Sequence, residues 1–95
     1  MNDEKGKNKL WQELEIAKLR YWLINYEDND LLEQEIIKIE FTNINTLEIT
    51  FKGDTLLWKD LNALINYLDD CNLAFIKANN MSLILVFNYR ADMIR

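Results

Sequence analysis

The sequence predicts an α+β fold in the order α-β-β-α-β-β, with two helices packed on a mostly antiparallel four-stranded sheet. Two segments predict the helices, because their apolar residues recur at steps of four and three. Two pairs of shorter segments, rich in β-branched and aromatic residues, predict two hairpins, because polar turns separate the members of each pair. A chain of 95 residues without a linker rich in proline, glycine or serine predicts a single domain over residues 1–95.

The first helix is predicted from an apolar stripe. Residues 1–8 are polar and are expected to fray, and Asn8 is a candidate N-cap. Five apolar residues follow at steps of four and three: Leu10, Leu14, Ala17, Tyr21 and Ile24. This spacing places them on one side of a helix and predicts that they face the core. Trp11, Trp22 and Leu23 widen the stripe.

The first hairpin is predicted from strict alternation of apolar and polar residues on both sides of residues 43–45. One face should be buried and the other should be polar. The inward cross-strand pairs are predicted to be Ile37 with Phe51, Ile39 with Ile49, and Phe41 with Leu47.

The second helix is predicted from the same steps, with Thr55 as its N-cap. Its apolar positions are Leu57, Leu61, Leu64, Leu68 and Cys71, which places Cys71 in the core at the end of this helix. The two halves also share short motifs, L-W-Q-E-L at residues 10–14 and L-W-K-D-L at residues 57–61. A duplication of an αββ unit is therefore one interpretation, with residues 26–35 as an insertion in the first unit.

The second hairpin is apolar on both faces. With Asn79-Asn80 as the turn, one face carries Ala74, Ile76, Met81, Leu83, Leu85 and Phe87. The other face carries Leu73, Phe75, Ile84 and Val86. One face packs on the helices, and the other is covered either by the first helix or by another subunit. A homodimer through Phe75, Ile84 and Val86 is the simplest form of the second alternative.

The residue types that the chain lacks exclude most enzyme classes. It contains no histidine, one cysteine and two glycines. The commonest general base, a zinc site of cysteine and histidine, and a glycine-rich phosphate loop are therefore all missing. We expect a protein that is not an enzyme and that uses no cofactor and no metal. The longest apolar run is Leu83–Phe87, too short to span a membrane, and together with the single cysteine it favours the cytoplasm.

The acidic residues are concentrated in one segment. The net charge of the chain is −5, and residues 27–48 alone carry −6, because seven acids stand against one base. The acids are Glu27, Asp28, Asp30, Glu33, Glu35, Glu40 and Glu48. We expect them to form a surface for a protein partner that is basic, such as a nucleic-acid-binding protein, and not to bind nucleic acid directly. The alternative is that they are the solvated ends of helices and loops.

The same segment fits a metal site or a catalytic pair poorly. Asp28 and Asp30 are spaced as the first ligands of a calcium loop, but Glu33 replaces the glycine at position six and Ile39 replaces the glutamate at position twelve. Catalytic carboxylates need a cleft, and a chain this short with a polar hairpin leaves little room for one.

Trp22 and Tyr26 lie next to the acidic segment, four residues apart. They are either part of a wide core-facing stripe or rigid anchors at a protein interface.

These observations favour a small acidic module that binds another protein as an inhibitor or adaptor. The chain has 12 Asn, 11 Ile and 8 Lys, a bias typical of AT-rich coding. Together with the small size and the acidity of the chain, this bias favours an anti-defence or immunity-type protein of a phage or plasmid. The alternative is a structural homo-oligomer subunit with no dedicated acidic site.

Overall fold

The described part of the protein contains two helices and four strands. The structure is a computed structural model, and it describes residues 2–25, 36–53, 58–79 and 81–90, with side chains from residue 8 onward. The elements are α1 (Asn2–Asn25), β1 (Ile36–Phe41), β2 (Thr46–Lys52), α2 (Trp58–Tyr67), β3 (Cys71–Asn79) and β4 (Ser82–Tyr89).

The four strands form one sheet in the order β1-β2-β4-β3, and every neighbouring pair is antiparallel. Both helices pack on one face of the sheet, because their buried residues belong to the same core cluster as the residues of that face. The described elements therefore form two layers. The predicted α+β fold and its element order are therefore confirmed. The duplication of an αββ unit stays a prediction.

The core lies between the helices and one face of the sheet, the inner face. Six aliphatic and phenylalanine side chains of the sheet are at most 7% exposed on this face: Ile39, Leu47, Ile49, Phe51, Leu85 and Phe87. Each such side chain stabilises the fold by about 1.5–3 kcal/mol relative to exposure. The inner face therefore accounts for much of the hydrophobic stabilisation.

Helix α1 packs on the sheet through a different face from the predicted one. Leu19 and Leu23 are 1% and 2% exposed, and Trp11, Ile16 and Trp22 pack against the core around them. The residues predicted to face the core are exposed: Leu10, Leu14, Ala17, Tyr21 and Ile24. The prediction is wrong because apolar side chains occupy much of the helix circumference, so helical spacing fits two faces.

Aromatic rings line the buried face of α1. The ring centroid of Trp11 lies 5.4 Å from that of Phe41 and 4.9 Å from that of Tyr89. Trp22 stacks on Tyr67 of α2, with 4.7 Å between centroids and 14° between planes. Because aromatic rings bury more area than leucine, the face with both tryptophans gains more from packing on the sheet.

Helix α1 begins earlier than predicted and is tied to the first hairpin. It starts at Asn2 instead of after Asn8, since no proline interrupts these residues. The side-chain amide of Gln12 donates hydrogen bonds to the carbonyls of Asn43 and Ile44, at 3.1 and 3.2 Å. The loop between β1 and β2 is therefore held against the helix.

Strand β1 contains a bulge that changes one predicted pair. Ile36, and not Ile37, pairs with Phe51, and the register shifts between Ile36 and Lys38. Ile37 is the extra residue of this bulge, and its side chain is exposed. One inserted residue reverses the faces of the residues before it, so Ile36 takes the inward position. The predicted pair of Ile37 with Phe51 is therefore wrong. Two predicted pairs are confirmed: Ile39 with Ile49 and Phe41 with Leu47.

The predictions for the second helix hold in part. Three of its predicted core positions contribute to the core: Leu61, Leu64 and Leu68. Thr55 and Leu57 lie outside the described residues. Cys71 is buried, as expected, but it is the first residue of β3 and does not end the helix.

The second hairpin also contains a bulge. Asn79 pairs with Ser82, so the predicted turn begins one residue too early. The register of β3 shifts between Leu73 and Phe75, which places Leu73 opposite Phe87 on the inner face. The prediction that Leu73 shares a face with Phe75 is therefore wrong. On the other predicted face, the one that carries Leu83, Leu85 and Phe87, three residues are exposed: Ala74, Ile76 and Met81.

The assignment of the two faces of α1 predicts a large loss of stability when a side chain of the buried face is truncated and almost none on the exposed face. Leu19→Ala should lower the free energy of unfolding by about 2–5 kcal/mol, because it leaves a cavity in the core. Leu14→Ala, on the exposed face, should change it by less than about 0.5 kcal/mol. Urea unfolding at low protein concentration measures both, and an equal or larger loss for Leu14→Ala would contradict the assignment.

Candidate protein-interaction surfaces

The solvent-facing side of α1 carries a continuous row of apolar residues, the α1 stripe: Leu10, Leu14, Ala17, Tyr21 and Ile24. Its four large side chains are 54 to 72% exposed. At a rise of 1.5 Å per residue, the row extends over about 21 Å. Single exposed apolar residues are ordinary on protein surfaces, but a continuous row of them is a candidate contact site.

Charged residues flank the α1 stripe on both sides. Glu13 and Arg20 are seven residues apart, exposed, and on the same side of the stripe. Within the described part of the chain, neither takes part in an ion pair. On the other side, the ammonium group of Lys18 lies 2.8 Å from a carboxylate oxygen of Glu15. The stripe therefore has an apolar centre and a charged edge.

Only two of the seven acids in the predicted acidic surface belong to the described residues. Glu40 and Glu48 lie opposite each other on β1 and β2, on the outer face of the sheet. Glu40 is 3.0 Å from Lys38, and Glu48 is 3.5 Å from Lys77 on β3. These ion pairs partly neutralise the negative field of this face. The other five acids lie outside the described residues: Glu27, Asp28, Asp30, Glu33 and Glu35.

The predicted dimer face lies on the same outer face but offers little apolar area. Phe75 lies opposite Val86, and Ile84 is two residues along β4. Val86 is only 2% exposed and Ile84 is half-buried, whereas Phe75 is 53% exposed. Lys77 lies 5.9 Å from the centre of the Phe75 ring, so a charge sits over the most exposed member. Dimerisation through this face stays a prediction.

The two predicted aromatic anchors are Trp22 and Tyr26. Trp22 is half-buried, and one face of its ring stacks on Tyr67. This ring face therefore serves the contact between α1 and α2 and is not available to a partner. Tyr26 lies outside the described residues.

A buried polar cluster connects α1 to the end of the sheet. The Tyr89 hydroxyl donates a hydrogen bond to Oε1 of Glu15, with 3.1 Å between the oxygens. Cys71 lies beside Tyr89 on the neighbouring strand. A cleft of about 250 Å³ opens next to this cluster, lined by Glu15, Lys18, Tyr67, Leu68, Asp69, Asp70 and Tyr89.

Cys71 and Tyr89 are held in their protonated forms. Burial raises the pKa of the Cys71 thiol to about 12, while the hydrogen bond with Tyr89 acts in the opposite direction. Burial also raises the pKa of Tyr89, and the neighbouring Cys71 and Glu15 raise it further. At neutral pH neither group is an anion, so neither is a ready nucleophile or base.

Two further properties bear on the chemistry of the described residues. No group of three or more His, Cys, Asp or Glu residues among them is arranged to hold a metal ion. In the same part of the chain, neither helix combines the length and the apolar character needed to cross a membrane.

Sequence reasoning assigned the α1 stripe to the core and did not single out Glu13 and Arg20. A signal for two faces was present, because Trp11, Trp22 and Leu23 lie off the stripe. A two-layer fold of this size buries only one side of a helix. The face with the larger rings was the better candidate for the core.

The burial of Cys71 predicts a slow reaction with thiol reagents. With its pKa at about 12 instead of the usual 9.0, the thiolate fraction at pH 8 should be about a thousandfold lower than in the unfolded chain. Because the pKa of Cys71 is raised in the folded protein, its reaction rate there should keep rising about tenfold per pH unit through pH 10. The rate for the unfolded chain already levels off at that pH. Ellman's reagent with and without urea measures both, and equal rates would contradict the burial.

The hydrogen bond between Tyr89 and Glu15 predicts a cost for removing one hydroxyl. Tyr89→Phe should lower the free energy of unfolding by about 1–3 kcal/mol, because the acceptor is a carboxylate in a partly buried site. Tyr67→Phe is the matched control, since its hydroxyl donates to the exposed carbonyl of Lys18 at 3.1 Å. It should cost less than about 1 kcal/mol. Thermal unfolding compares the two variants, and equal losses would count against a special role for the buried bond.

Comparisons with known proteins find no match: the chain matches no family model, no curated protein and no solved structure.

Proposed function

We propose that the chain is a non-enzymatic protein–protein interaction module of the inhibitor or adaptor type, and that the α1 stripe is its main contact surface. One observation carries this proposal. Four large apolar side chains and Ala17 lie in one row on the exposed side of a helix whose opposite side is buried. Contact with another protein removes this apolar surface from water.

The helix is suited to binding because it is already ordered. Trp11, Leu19 and Leu23 fix its inner side to the core, so docking on its outer side costs little backbone entropy. Tyr21, the most exposed member of the stripe, combines a large apolar ring with a polar tip. Tyrosine is enriched among residues that carry the binding energy of interfaces.

The protonation state of the buried cluster supports the non-enzymatic part of the proposal. Cys71 and Tyr89 are the groups beside the cleft with the most strongly perturbed pKa values, and both shifts favour the uncharged form. A catalytic thiol or phenol needs a shift in the other direction. The cluster serves the packing of α1 on the sheet.

The acidic segment 27–48 is the second candidate surface, for a basic partner. The observation that favours it is its net charge of −6. Its described members, Glu40 and Glu48, already have lysine partners, so its electrostatic field depends on the five acids in residues 27–35. A negative surface of this kind speeds association with a basic protein more than it strengthens the complex.

The biological setting proposed for such a module is a phage or plasmid, acting against a host defence or as an immunity-type protein. Small size, acidity and composition support this setting. The alternative of a structural homo-oligomer that uses the outer face of the sheet has weaker support, because Val86 is already buried.

Photocrosslinking from single positions tests the α1 stripe directly. A benzophenone amino acid in place of Leu14 or Tyr21 should give covalent adducts with protein in the cells that make the chain. The same group in place of Met81 is the matched control, because Met81 is 74% exposed and lies in the loop between β3 and β4, outside the α1 stripe. The control should give few adducts or none.

Two results would contradict the proposal. The first is the absence of protein adducts from both stripe positions. The second is an equal yield of the same adducts from the Met81 position, which would indicate unspecific contact.

A further inference from the structure

We infer that the partner of the α1 stripe is a second copy of this chain, whose α1 packs antiparallel against the first. The inference rests on the proposed function, because it identifies the partner of the same surface, and it leaves the acidic segment 27–48 as the surface for the inhibited or adapted protein. It differs from a dimer through the sheet, since the contact lies on the opposite side of the molecule.

The spacing of the stripe is that of a coiled-coil seam. Steps of four and three place Leu14 and Tyr21 at the a positions of a heptad, and Leu10, Ala17 and Ile24 at the d positions. The sheet lies on the other side of α1, where Leu19 and Leu23 are buried. It therefore does not obstruct a helix that approaches the stripe.

The volumes of the seam residues favour an antiparallel pair. In an antiparallel pair, a positions face d positions, so Tyr21 faces Leu10 of the second copy, and Leu14 faces Ala17. Each of these layers joins a larger side chain to a smaller one, as good packing requires. In a parallel pair, Ala17 faces Ala17 and leaves a gap, while Tyr21 faces Tyr21 and crowds the seam.

The flanking charges select the same arrangement. In this register, Glu13 of each copy lies next to Arg20 of the other, because antiparallel helices bring positions on the same side of the seam together. Two identical ion pairs form, one at each end of the contact. Shifting the register by one heptad instead places Arg20 against Arg20 and Lys18 against Lys18. Such like-charge contacts are unfavourable, so the surface is complementary to itself in one register.

The contact is short, and the expected dimer is reversible. In this register the seam runs from Leu10 to Tyr21, about 17 Å of helix, which is less than a standard protein interface needs for tight binding. Because the backbone of the helix is ordered before it associates, little backbone entropy is lost on binding. We therefore expect a monomer–dimer equilibrium that depends on protein concentration.

Charge exchange tests the pairing. Sedimentation equilibrium at low salt is measured for the wild type, Glu13→Arg, Arg20→Glu and the double variant. Each single variant should weaken the dimer about tenfold, because it replaces two attractive contacts with two repulsive ones. The double variant should restore dimerisation to within about threefold of the wild type, because the pairs are re-formed with exchanged signs.

The same series distinguishes the orientation of the helices. In a parallel pair, Glu13 lies next to Lys18 of the second copy and Arg20 lies next to Asn25. Arg20→Glu would then have little effect, and the double variant would not recover. That result would overturn the antiparallel arrangement.

Two controls separate the possible failures. Leu14→Glu should abolish the dimer without lowering the thermal stability of the monomer, whereas Phe75→Glu, on the outer face of the sheet, should leave the dimer intact. A dimer lost with Phe75→Glu and kept with Leu14→Glu would overturn the inference. A strict monomer whose stripe crosslinks to a different protein would overturn the inference and leave the proposed function standing. A monomer without stripe adducts would contradict both.

Discussion

Helix α1 has apolar side chains on two sides, but a two-layer fold has only one core in which to bury them. The side that carries Trp11, Leu19 and Trp22 packs against the sheet and α2. The other side is left in water, and its apolar row is a direct consequence of that choice. The core and the proposed contact surface therefore belong to one helix, and a change that rotates α1 would alter both together.

The orientation of α1 is fixed by two polar contacts that lie about one turn apart on the helix. Gln12 holds the loop of the first hairpin, and Glu15 accepts a hydrogen bond from Tyr89, the last residue of β4. These polar contacts are directional in a way that leucine packing is not, since a hydrogen bond weakens steeply when its angle changes. The cost of burying Tyr89 and Cys71 is limited because both stay protonated and share hydrogen bonds.

Much of the fold could be predicted because alternation is unambiguous in a half-buried strand. The pairs of Phe41 with Leu47 and Ile39 with Ile49 follow from which side is apolar. The bulge at Ile37 could not be predicted, since isoleucine suits a paired position equally well. The buried face of α1 could not be read from spacing alone, because two faces satisfied the same rule. The lysine partners of Glu40 and Glu48 depend on side-chain geometry, which a charge count does not contain.

Both register irregularities fall on the outermost strands of the sheet, β1 and β3, while the two central strands pair without interruption. An outermost strand offers unpaired backbone groups that another chain can extend into an endless sheet. A bulge near the start of β1 and another within β3 break the regular ladder that such growth requires. Strand addition is thereby discouraged at both borders of the sheet. The inferred antiparallel pair of α1 helices would close after two copies, so such a dimer would not extend into a fibre.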